Sequence, residues 1–419
     1  MITLPYGHGS LEIDDSDASV LALKQQGLDD TQGASLVKKA MADPYGGRKL
    51  AELARNAKTC TPIISDHPRP VPSRDIVPAM LSELREGNPD IDITLLVATG
   101  CHRGTTKDEL IAKLGEEIVS KEKIVIHDAD DNESNVEIGI LPSGARLVLD
   151  RTAVETDLLI SEGFIEPHFF AGFSGGRKSV LPGVCSRVTV FANHNGRFIA
   201  SPFARTGVLE NNPIHKDMTA AAEMAKLAYI VNVVINDAHK TIAAFAGDPF
   251  LAHEAGCEFI KSISSVKAVP ADIVVTTNGG APLDQNIYQC VKSMTAAEAS
   301  AKEGGVIILC AECADGNGGD YFEAQLRECD SPAKLFESFA QTPADKTAKD
   351  QWQSQILARI LIHHPVIFVT RPELQKTIED MKMIYAPTIK EALAKARAIR
   401  GESASVTIIP NGVSVIVEP

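Results

Sequence analysis

Three imidazoles and one amine carry most of the chemistry that this chain offers: His102, His168, Lys178 and His194. His168, Lys178 and His194 fall in one dense stretch, the run 162–183 (EGFIEPHFFAGFSGGRKSVLPG) and the Asn193-His194-Asn195 that follows it. Imidazole titrates near neutral pH, so it acts as acid in one direction and base in the other, and its neutral form binds transition metals. A lysine after a glycine pair, Gly175-Gly176, can be brought close to a ligand because the backbone there can bend. A soluble core needs none of these residues so densely placed. The composition points to a site that holds a ligand, with a metal, and moves protons.

Each histidine also has a plainer reading as a hydrogen-bonding structural residue. His102 and His168 gain weight because each follows a strand and neighbours glycine or proline. His194, taken alone, reads as a polar turn. His8, His127, His215, His239, His253, His363 and His364 have no comparable setting, although His127 ends a strand. Gly172 to Ser179 resembles a phosphate loop, G-x-x-x-x-G-K-[ST], except that Arg177 stands at the last glycine, where the backbone must approach phosphate. Pro182 and Gly183 keep any helix opened there short. A nucleotide-binding phosphoryl-transfer enzyme using Lys178 is therefore the alternative reading, and Arg177 argues against it. A non-catalytic binding protein is a third. Cys310-Ala-Glu-Cys313 has no second cysteine pair to complete a zinc site and reads as chance at a strand end.

The elements that would position these groups alternate. Strands are predicted at 62–65, 93–98, 123–127, 158–161, 230–235, 273–277, 306–309 and 365–369. Helices are predicted at 33–38, 76–85, 107–114, 218–225, 284–301 and 388–398, the clearest being 284–301 with Ile287, Val291 and Met294 at helical spacing. Alternation of this kind implies βαβ units, hence an α/β fold with mostly parallel sheets. The chosen residues follow strands directly: Asp66 to Arg69, Gly100 to His102, His168, and the helix carrying Gln289 and Lys292. Ligands of open α/β sheets bind outside the carboxyl ends of the strands, so these loops can share one cleft.

With 419 residues, two domains are expected, 1–268 and 269–419, with a boundary near 263–270 and final strands that close the second domain or return to the first. The end of the chain reads as two short strands around an Asn411-Gly412 turn. The net charge of −14 argues against nucleic acid as partner, though a local cationic pocket can still hold an anion. No signal peptide or membrane span is evident, and eight scattered cysteines fit reduced thiols, so a cytoplasmic protein is expected. A homodimer is left open.

In these motifs the chain resembles the nickel-pincer-nucleotide lactate racemase family. The resemblance rests on Ser65–Pro70 (SD-x-x-RP), Ala98–Arg103 (ATGCHR), Pro167–Gly183, His194, Asn211–Met218 (NNPIHKDM) and Leu283–Met294 (LDQNIYQCVKSM), and covers nearly the whole length. It implies two α/β domains with cofactor and substrate in the cleft between them. It implies a racemase or epimerase of 2-hydroxy acids, working by proton-coupled hydride transfer. The cofactor would be a pyridinium-3,5-bisthiocarboxylic acid mononucleotide that grips nickel through sulfur and carbon. By this resemblance Lys178 links the cofactor, with Asp66, Gly175 and Gly176 beside it, and His194 is the remaining nickel ligand. His102 and His168 form the acid/base pair, and Arg69, Gln289 and Lys292 line the pocket of a small 2-hydroxy acid. The chain departs from the family at Pro68, where threonine is usual.

Overall fold

The computed structural model describes residues 1–14, 18–22, 33–67, 69–236 and 239–418. Pro68, the departure noted above, lies outside them. The first six-stranded sheet runs in the order Thr241–Gly247, Leu227–Ile235, Leu158–Phe164, Thr59–Ser65, Asp92–Ala98, Lys123–Ile126. All neighbours are parallel except Thr241–Gly247, which runs antiparallel to Leu227–Ile235. Leu158–Phe164 is buried along its whole length. An interior parallel strand is covered on both faces, which is why it reads as a near-continuous apolar run.

The second sheet also has six strands and is parallel throughout, in the order Ile384–Ala386, Val366–Val369, Ala301–Cys310, Ala271–Thr277, Val406–Ile409, Ser19–Val20. In each sheet the chain winds outward one way and then restarts on the other side of its first core strand. The reversals fall between Thr59–Ser65 and Leu158–Phe164 in the first domain, and between Ala271–Thr277 and Val406–Ile409 in the second. Loops diverge at such a reversal and leave a crevice at the carboxyl ends of the strands. The molecule has two of them.

Several expectations need correction. Residues 2–13 and 19–20, grouped by chain order with the first domain, go with the second. Ser19–Val20 pairs with Val406–Ile409, and the hairpin of Ile2–Tyr6 and Gly9–Ile13 buries Leu4 and Ile13 against Ile273 and Ile308. The helix expected at 284–301 spans Ile287–Glu298. Asp284 instead accepts the Gly7 and Glu312 N–H groups, and Asn286 caps the helix by accepting the Gln289 N–H at 3.0 Å. Asn411-Gly412 does not join a hairpin: Val406–Ile409 enters the second sheet, whereas Ile416–Glu418 pairs in parallel with Ser265–Lys267. Helices Pro249–Ser264 and Gln351–His363 and the hairpin of Asn135–Ile140 with Arg146–Asp150 were not predicted.

Candidate active site

The first crevice is held shut at its base by a buried carboxylate. Glu162, on Leu158–Phe164, accepts the Ser65 N–H at 3.1 Å, the Ser65 hydroxyl at 2.9 Å and the Ser73 hydroxyl at 2.8 Å. This pins the end of the neighbouring strand and fixes where Asp66 begins. Asp66 is buried, and its Oδ2 lies 2.7 Å from His102 Nδ1, while its Oδ1 lies 3.8 Å from Arg69 Nε. One carboxylate thus orients both a candidate base and a candidate carboxylate-binding group. It leaves His102 Nε2 free to face outward. Lys113 donates to the Arg69 carbonyl at 3.0 Å and steadies that turn from the neighbouring helix.

Past Phe164 the chain forms a two-residue pairing, Pro167–His168 with Gly172–Phe173. The Ala171 N–H donates to His168 Nδ1 at 3.2 Å, so the neutral ring carries its proton on Nε2, which lies 3.4 Å from Lys178 Nζ. Burial, then the charges of Lys178, Lys292 and Arg69, hold His168 well below its usual pKa. Burial, then Arg177, Arg69 and Lys292, likewise hold Lys178 well below the usual lysine value. An uncharged amine is the form that can act as a nucleophile.

The glycine loop explains Arg177. Its guanidinium is buried and has no carboxylate partner among the described residues; it donates to the Phe173 and Ala171 carbonyls at 2.8 Å each, to His215 Nδ1 at 3.0 Å, and approaches His253 Nε2 at 3.0 Å. Burial lowers its pKa to about 10. The side chain is a clamp that ties one 3₁₀ turn, Gly176–Ser179, to its own loop and to helices Pro213–Met224 and Pro249–Ser264. The Gly176 N–H is taken by Asn232 Oδ1 at 2.7 Å. A phosphate loop needs free N–H groups, and this one turns its carbonyls inward, which weakens the phosphoryl-transfer reading. Gly175 and Gly176 have φ of 75° and 52°. The space a Cβ would need is filled by Asn232, Phe164 and Ile165 at one and by His253 at the other, so protein packing accounts for both glycines.

His194 ends the short helix Arg187–Asn193. Its ring packs edge-on against Phe170 at 5.1 Å and against Trp352 of the second domain at 5.3 Å. Nδ1 is buried with no hydrogen-bond partner, and burial followed by Lys178 lowers its pKa to about 3. A neutral imidazole with an unsatisfied nitrogen suits a transition metal. Among the described residues no group of three or more His, Cys, Asp or Glu side chains is placed to hold a metal ion. A metal at His194 would therefore bring its other ligands with it, which fits a metal carried by an organic cofactor.

The second crevice faces the first. The helix Ile287–Glu298 leaves Ala271–Thr277 and presents Gln289 and Lys292, and the loop after Val406–Ile409 brings Gly412 and Val413. Residues of both crevices line one cleft of about 580 Å³, among them Arg69, His102, Glu166, His168, Gln289 and Lys292. Burial, then Arg69, lowers the Lys292 pKa to about 8. Lys178 and His194 sit behind this lining and Asp66 beneath it. The Cys310 and Cys313 thiols are not paired: Cys313 Sγ lies 3.9 Å from Cys290 Sγ, both buried.

Sequence reasoning missed three contributors. Glu166 lines the cleft two residues before His168, and its place in a strand-end loop was the available signal. Trp352, the only tryptophan of the chain, reaches His194 and donates to the Tyr288 hydroxyl at 3.1 Å. His239, dismissed on its sequence setting, also lines the cleft.

This architecture defines a class: a two-domain α/β enzyme with its site between two facing sheet reversals. Residues 6–207 match the lactate racemase N-terminal domain, and residues 266–417 match the lactate racemase C-terminal domain. The chain is 49% identical over 425 residues to a lactate racemase of Thermoanaerobacterium thermosaccharolyticum, covering 99% of each chain. It is 51% identical over 421 residues to a lactate racemase of Lactiplantibacillus plantarum, covering 100% of this chain and 99% of the relative. It superposes on the lactate racemase apoprotein from T. thermosaccharolyticum with a TM-score of 0.97 over 100% of both chains. A protein from Thermotoga maritima shares the fold at a TM-score of 0.66 and 18% identity, over 92% of this chain and 98% of that one. The chain belongs to the lactate racemase family.

Proposed function

We propose that this chain is a 2-hydroxyacid racemase of lactate type, an isomerase. Its cofactor would be a nickel-pincer nucleotide, the pyridinium-3,5-bisthiocarboxylic acid mononucleotide, linked to Lys178 with His194 as the protein's nickel ligand. The observation that carries the reading is the convergence of two histidines from different strand ends on one cleft, beside Arg69 and Lys292. Racemising a carbinol carbon through a planar ketoacid requires a base for each enantiomer, each returning its proton as an acid in the reverse direction. His102 serves one enantiomer through Nε2, its Nδ1 held by Asp66. His168 serves the other in the tautomer that bares Nε2, and its lowered pKa keeps that ring uncharged. Arg69 and Lys292 hold the carboxylate, and Gln289, one helical turn from Lys292, completes the pocket. The chemistry the cofactor supplies when bound is reversible acceptance of hydride from the carbinol carbon. No helix is long and apolar enough to cross a membrane among the described residues. The reading predicts that protein co-expressed with cofactor-making enzymes carries nickel and abolishes the optical activity of lactate or a close 2-hydroxy acid. Nickel-loaded protein that leaves every member of a chiral 2-hydroxyacid panel unchanged would overturn it.

A further inference from the structure

Glu166 is the one cleft-lining carboxylate among the described residues, and neither catalysis nor cofactor binding accounts for it. Its backbone is locked on both sides: its N–H donates to Ser174 Oγ at 3.0 Å and its carbonyl accepts the Ser174 N–H at 3.0 Å. Its side chain makes no hydrogen bond or ion pair with any described residue. The charges acting on it are Lys292, Arg69, Lys178 and His239. Burial raises its pKa, and Lys292 and Arg69 oppose the rise without cancelling it.

We propose that Glu166 is a specificity-determining residue, a carboxylate that admits 2-hydroxy monocarboxylates to the cleft and disfavours those with a second carboxylate. The proposal rests on the racemase reading. Once Lys178 is used to hold a cofactor, Arg69 and Lys292 are the cations left to the substrate, because Arg103, also in the lining, is paired with Glu109. Arg69 already lies 3.8 Å from Asp66. One substrate carboxylate satisfies this pair. A second would enter a cleft whose remaining lining offers neutral donors such as Thr206 and Gln285, apolar side chains, and the Glu166 carboxylate. Two like charges about 5 Å apart in a partly screened cleft weaken binding by about 10- to 100-fold.

Malate and its ω-amide, malamate, have the same shape and differ in the second charge, so they isolate the effect. Nickel-loaded wild type and Glu166→Gln are compared for binding of both at equilibrium, for racemisation of both and of lactate, and for nickel content. Wild type is expected to prefer malamate by about 10- to 100-fold, and Glu166→Gln to bring the ratio within about threefold of unity. An unchanged ratio in Glu166→Gln overturns the proposal. So does loss of nickel from that variant, which would make Glu166 a holder of the cofactor. A charge preference that disappears in Glu166→Gln, in protein that racemises none of the three acids, supports Glu166 and strikes the racemase reading alone.

Discussion

The two crevices are built by the same topological device and finished differently. In the first, nearly every polar group is already engaged: His102 with Asp66, His168 with the Ala171 N–H, Arg177 with the carbonyls of its own loop. In the second, the Gln289 and Lys292 side chains make no hydrogen bond or ion pair with any described residue. One half is organised in advance for chemistry, and the other presents free groups to whatever enters. Pre-organisation is worth most where charge must shift during reaction, and free donors are worth most where a ligand must be gripped and released.

The sharpest way to break this contrast is to remove members of the first half. His102→Ala and His168→Ala are expected to keep nickel and lose turnover by roughly 10²–10⁴-fold, the usual range for a general acid or base. His194→Ala is expected to lose the metal, measured by elemental analysis. Lys178→Ala is expected to lack a cofactor adduct that intact mass shows on the wild-type holoenzyme. Full nickel loss in the His102 and His168 variants beside an active His194→Ala would reverse the roles and end the contrast.

A second blow falls on stability. Arg177→Met leaves buried carbonyls of Ala171 and Phe173 and a ring nitrogen of His215 without donors. Stranding several buried acceptors is expected to cost about 3 kcal/mol, read from urea unfolding of the apoprotein. A change below about 0.5 kcal/mol would show that the clamp is not what holds the loop.

Both predictions concern contacts that the linear chain conceals. Every predicted strand lies within or overlaps an observed one, because buried parallel strands write continuous apolar runs. Loops leaving those strands were legible for the same reason. The helix Pro213–Met224 was begun five residues late although Asn212 caps it and Pro213 opens it, a signal that outranked the periodicity used. Pairs such as Asp66 with His102, Arg177 with His253, and His194 with Trp352 join residues far apart in the chain, and no local pattern encodes them. The same holds for residues 2–13 and 19–20, whose apolar side chains were visible but whose partner sheet was not.

A milder test shifts to the carboxylate grip that spans both halves. Arg69→Lys keeps the charge but gives up the planar fork, and it loosens the 3.8 Å approach to Asp66. KM for the hydroxy acid is expected to rise about tenfold with a smaller change in kcat. Equal turnover of a 2-hydroxy acid and its uncharged amide by wild type would show that no such grip exists.

The smallest effect is a titration, and it isolates the second half. Burial and Arg69 lower the Lys292 pKa to about 8, so its ammonium is the weakest fixed charge in the cleft. The sign follows from the direction of the shift. A lysine with a depressed pKa is cationic below that value and loses its charge as pH rises through it. Between pH 7 and pH 9 a group titrating near 8 falls from about 90% to about 10% protonated. Its hold on a substrate carboxylate fades over the same window, while Arg69 stays charged throughout. KM is therefore expected to rise about fivefold from pH 7 to pH 9 in wild type, less than the loss of ammonium because Arg69 remains and because bound carboxylate favours the protonated amine. Lys292→Met should start from a higher KM and lose this alkaline rise. His168 and His194 are held below their usual pKa, so they leave this limb undisturbed. A Lys292→Met profile that still climbs between pH 7 and pH 9 would assign the limb to another group, and Lys292 would no longer be the adjustable half of the grip.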